Sequence, residues 1–140
     1  MVNEKDYSLQ KLKNAFSRLK ESTEKAIDEL DRDGVIQRFE FTFELFWKAT
    51  KIILEVEGFE CAGPRSCIKE GARRGLLADG EMLLDMLEDR NKMSHIYDES
   101  TAKEIFERIK GEYVALIEKN IKELSGRKQR SPLIGLRSRL

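Results

Sequence analysis

At 140 residues and 16.3 kDa, the chain has material for one domain built on one hydrophobic core. Apolar residues make up 40% and charged residues 37%, with only two Pro, which excludes a disordered or collagen-like chain and fits a charge-dressed helical domain. The net charge of zero hides an asymmetry: residues 126–140 carry Arg127, Lys128, Arg130, Arg137 and Arg139 and no acid, so the tail is about +5 and the body about −5.

In chain order, Leu9, Leu12, Phe16, Leu19, Thr23, Ala26 and Leu30 recur at steps of three and four, which predicts an amphipathic first helix reaching Leu30. The DRDG run at 31–34 reads as a turn with a candidate N-cap. A second long stripe, Ile36, Phe39, Phe43, Trp47, Thr50 and Leu54, ends at Gly58, and the concentration of aromatics around 39–47 marks this helix as the centre of the core. A connector to Pro64 leads into a short helix closed at Gly75, and another short helix starts near Asp79 and runs toward Arg90. The last helix carries Ala102, Ile105, Phe106, Ile109, Tyr113, Leu116, Ile117 and Leu124, with Asp98 or Ser100 as its cap. No strand alternation appears. The expected architecture is all-α, an up-and-down bundle of about five helices, three of them long, over residues 1–125, followed by a basic, flexible tail at 126–140.

No run approaches the roughly eighteen apolar residues of a membrane helix. The N-terminus has no apolar signal core, so a cytoplasmic location is expected. In that compartment Cys61 and Cys67 are expected as reduced thiols, packing as small apolar side chains. Their spacing is not C-x-x-C, and two cysteines alone cannot complete a tetrahedral zinc site. No metal and no cofactor is expected.

The segment Asp89 to Glu99 departs from the amphipathic pattern. It holds His95, the single histidine, close to Arg90, Asn91 and Tyr97. Histidine accepts and donates protons near neutrality, and arginine presents a fork of donors to phosphate oxygens. Together they meet the needs of metal-free cleavage of RNA: a base for the ribose 2′-hydroxyl and a cation for the charge that builds on the phosphate. On a regular helix, however, Arg90 and His95 lie about 140° apart. Either the helix unwinds between Asn91 and Ser94, or the pair flanks a groove that a neighbouring helix or a second subunit completes. On the second helix, Glu40, Glu44 and Lys48 share one face. They form a solvated ladder or, if that face lines the groove opposite Arg90, the carboxylates orient Arg90 or His95. Lys69, Arg73 and Arg74 make a modest basic spot that could meet RNA phosphates.

The run Arg90-Asn91-Lys92-Met93-Ser94-His95-Ile96-Tyr97 resembles the R-x4-H-x-Y signature of HepT-like toxins in the HEPN superfamily. The stretch from Asp33 to Gly58, with its R-F-E-x-x-x-E-x-x-W-K core, is similar to the matching helix of the branch called nucleotidyltransferase substrate-binding proteins, and the likeness spans about residues 5–125. The resemblance implies a helical-bundle homodimer paired with a minimal nucleotidyltransferase as cognate antitoxin. It also implies a metal-independent RNase with Arg90 and His95 as catalytic residues and Asn91, Glu40 and Glu44 in support. AMP transfer to Tyr97 would neutralise that activity. The alternative it implies is a non-catalytic substrate-binding subunit of a two-component nucleotidyltransferase.

Overall fold

A computed structural model describes residues 3–95 and 98–127, with the backbone only at residues 94 and 95. The described residues are all-helical, as the periodicity predicts, and form a bundle. Helix α1 (Glu4–Lys25) begins at Asn3, whose side chain accepts from the Asp6 N–H, and buries Leu9, Leu12, Phe16 and Leu19.

The sequence expectation fails at its end. Lys25 closes α1, and α2 (Glu29–Val56) starts well before the DRDG run, which forms its opening turns. Asp28 caps the Asp31 N–H, while the Asp31 carboxylate reaches back to the Ile27 N–H at 3.0 Å. This reciprocal box satisfies two orphan donors, and the acids suit the positive end of the helix. Ile27 and Leu30, which continue the α1 stripe in sequence, are 89% and 79% exposed.

Helix α2 forms the central rod. Phe39, Phe43 and Phe46 are fully buried, and Phe39 stacks on Tyr113 with ring centroids 5.6 Å apart. It ends as predicted at Gly58, in a left-handed conformation (φ 92°). There the Phe59 N–H returns to the Leu54 carbonyl and the Gly58 N–H to that of Glu55, a Schellman closure. Helix α3 (Pro64–Arg73) places Pro at its first position, where a missing N–H costs nothing. Helix α4 (Gly80–His95) continues beyond the predicted end at Arg90 and stays helical through His95, which removes the unwinding alternative.

Helices α5 (Glu99–Arg108) and α6 (Val114–Gly126) run on through a π turn at Ile109–Tyr113, with Asp98 as N-cap. Helix α1 packs on α2 and α6, while α2 also touches α3 and α5. Asn120, fully buried on α6, clamps the loop before α4 by exchanging hydrogen bonds with both backbone groups of Ala78. Arg127 forms a bidentate pair with Glu57, tying the end of α6 to the end of α2. Among the described residues, no helix is long and apolar enough to cross a membrane.

Candidate functional site

Arg90 and Asp89 stand next to each other on α4 and point into different surroundings. Arg90 reaches α2, where its Nη2 donates to Glu44 Oε2 at 2.5 Å, and its Nη1 lies 3.4 Å from Asn91 Oδ1. The same Glu44 oxygen accepts from Trp47 Nε1 at 3.0 Å, and Lys48 approaches the other oxygen at 3.3 Å. Partial burial would raise the Glu44 carboxyl. The hydrogen bonds from Trp47 and Lys48 and the charges of Arg90 and Lys48 outweigh it and hold the group below the usual carboxylate range. Glu40, one turn earlier, is shifted the other way: burial raises it against the opposing charge of Arg90. The Glu40–Glu44–Lys48 face of α2 is therefore the face opposite Arg90, with Glu44 in contact with it. Trp47, expected in the core, is only partly buried and serves as a donor to Glu44.

Beside Arg90 opens a cleft of about 350 Å³, lined by residues 63–66 at the start of α3 and by Leu87, Arg90 and Asn91. Backbone donors at the start of a helix and a half-exposed guanidinium face the same space, an arrangement that suits a phosphate or carboxylate. The expectation of two free thiols beside this cleft is corrected. Cys61 and Cys67 are joined by a disulfide, because the turn into α3 folds the chain back and brings their Cα atoms within 5.0 Å.

The side chain of His95, and Tyr97 altogether, lie outside the described residues, as does the tail from Lys128 onward. The basic spot on α3 is engaged within the protein. Arg74 donates to Glu70 at 2.8 Å and lies over the Phe59 ring at 3.9 Å, and Arg73 is 4.0 Å from Glu70.

Sequence reasoning misses a second network. Asp89, 4% exposed, accepts from Arg108 Nε at 2.8 Å, from Arg108 Nη2 at 3.0 Å and from the buried Tyr113 hydroxyl at 2.5 Å. Burial first, then the Asp89 hydrogen bond and charge, push the Tyr113 phenol far above its ordinary value, so it remains a donor. On a regular helix Arg108 and Tyr113 would point about 140° apart. The π turn, with the Val114 N–H bonded to the Ile109 carbonyl, brings both onto Asp89. The available signal is an acid among the apolar residues of α4, which by itself reads as a solvated side chain.

Comparison with curated proteins returns no match. Among solved structures, a crystal structure of a protein from Thermus thermophilus is 38% identical with a TM-score of 0.75, covering 81% of this chain and 98% of that one. The model of the family described as nucleotidyltransferase substrate binding protein like matches residues 7–126. That span takes in the central helix, Glu44, the Arg90 cleft and the π turn, and the chain belongs to this family.

Proposed function

We propose that this protein is the substrate-binding partner of a nucleotidyltransferase and that its Arg90 cleft holds a phosphate-bearing group. The carrying observation is Arg90 itself, aimed by Glu44 at 2.5 Å onto the rim of a cleft at the start of α3. A cation fixed from behind by a carboxylate keeps its guanidinium fork in one geometry, which favours recognition of phosphate oxygens over nonspecific attraction. The family description supports the same reading. Calorimetric titration with AMP, alone and with a minimal nucleotidyltransferase encoded next to this chain, tests it. Binding should fall at least about tenfold in Arg90→Ala. Equal binding by the variant, or none by the wild type in either setting, would overturn it.

The Arg90…His95-x-Tyr97 spacing favours a second reading with the same cation in use: a toxin RNase. Arg90 would bind the scissile phosphate, His95 act as general base or acid, Asn91 position one of them, and Tyr97 accept AMP from the antitoxin. A second copy would complete the site. Phe41, 61% exposed, lies about 60° round α2 from Glu44, so a chain seated on it would border Arg90. Cleavage of labelled RNA in EDTA that disappears in His95→Ala would support this reading, and equal cleavage by the two proteins would count against it. A gain of AMP by intact mass that Tyr97→Phe abolishes would support the modification. Deleting residues 126–140 would show whether the basic tail guides RNA or docks the partner enzyme.

A further inference from the structure

We propose that Cys61 and Cys67 are a reversible thiol–disulfide site that fastens one wall of the Arg90 cleft. The ring that the bond closes runs through residues 63–66, which form the side of the cleft facing Arg90 and Asn91. The inference rests on reading that cleft as the binding site. The chain is held firmly on either side of this stretch. Phe59 is tied to the Leu54 carbonyl and covered by Arg74, and Cys67 and Ile68 are fully buried on α3. Between these anchors the hydrogen bonds are local, from the Ala62 N–H to Ser66 Oγ at 3.3 Å and from the Cys67 N–H to the Gly63 carbonyl at 2.8 Å. The disulfide is the covalent link that holds residues 61–63 against the helix.

The two sulfurs differ in a way that sets the direction of exchange. Cys61 is partly exposed, whereas Cys67 is buried in the opening turns of α3, where the helix dipole favours a thiolate. A small-molecule thiolate of the glutathione class attacks the Cys61 sulfur, the protein S–S bond breaks, and Cys67 leaves as thiolate and takes a proton. A second small thiol then attacks the mixed disulfide, releasing Cys61 as a thiol and the small-molecule disulfide. Two electrons and two protons thus pass to the protein, and the small-molecule disulfide reverses the process.

The test uses the full chain equilibrated in glutathione buffers of stepped thiol-to-disulfide ratio, acid-quenched, alkylated and read by intact mass. Oxidised and reduced forms are then compared by hydrogen–deuterium exchange. The expected result is one reversible transition, with amides of residues 61–66 exchanging about tenfold faster or more in the reduced form. Cys61→Ser should exchange like the reduced form in every buffer, and its circular dichroism reports whether the bundle is intact. Dithiol in all buffers, or unchanged exchange across the transition, would overturn the proposal. AMP titration of both forms separates this from the functional reading: absence of binding in each strikes that reading, while the exchange data still decide the redox site.

Discussion

Asp89 and Arg90 are neighbours on one helix, yet they anchor two ion-pair networks of opposite character. The Asp89 cluster is closed. Its carboxylate is buried and its donors come from a single helix, with the phenol of Tyr113 completing the set. The Arg90 cluster is open, with side chains of Arg90 and Glu44 still 27% and 31% exposed and a cleft alongside. A buried pair loses heavily when one partner is removed, whereas a half-exposed pair contributes little to stability and stays within reach of a ligand. One turn of α4 therefore divides its labour: Asp89 fixes where the helix sits, and Arg90 presents chemistry.

The largest test of that contrast is Asp89→Ala, which strands the buried Tyr113 hydroxyl and the Arg108 guanidinium. Urea unfolding should show a loss of about 3 kcal/mol or more. Tyr113→Phe removes one hydrogen bond to a charged acceptor and keeps the ring stacked on Phe39, so a loss of about 1.5–3 kcal/mol is expected. Arg90→Ala should cost under about 1 kcal/mol in the same assay while removing most AMP binding. A loss as large as that of Asp89→Ala would show that Arg90 is structural and erase the distinction.

The acid limb of stability sharpens the contrast further. Glu44 is held below its unfolded value of 4.5, so its contribution is complete above that pH and disappears as pH falls through the lowered folded value. Glu44→Gln should therefore flatten the fall in unfolding free energy below about pH 4.5, read from urea titrations at stepped pH. The smallest effect belongs to Lys20→Ala, which breaks the exposed pair with Glu118 and should leave the unfolding midpoint unchanged.

Much of this division is visible in the residues. The stripes of α2 and of the last helix follow directly from apolar spacing, because burial of Phe39, Phe43, Ile105 and Ile117 dominates their energetics. The placement of Glu44 opposite Arg90 stands in the sequence as one of two alternatives, since helical phase puts Glu44 on a face without saying what that face meets. The α1–α2 junction is misplaced by periodicity because Ile27 and Leu30 keep the rhythm of α1, while the deciding interaction is a side-chain box between Asp28 and Asp31. Cys61 and Cys67 read as free thiols because the compartment argument says nothing about the distance a turn creates. The Asp89 cluster is hidden by the π turn, since a pattern of 3.6 residues per turn keeps Arg108 and Tyr113 apart.

That wider turn also sets the phase of everything after it. With one residue more than an α-helix would use, the faces of α6 that carry Asn120, Ile121 and Leu124 are offset from those of α5. Removing Gly111, where an added side chain would meet only open space, would restore a regular repeat and turn α6 by about 100° relative to α5. Asn120 would swing away from Ala78, and Tyr113 and Arg108 could no longer both reach Asp89. A single codon in the last helix thus governs how α4 is seated, at a distance from the residues that α4 presents.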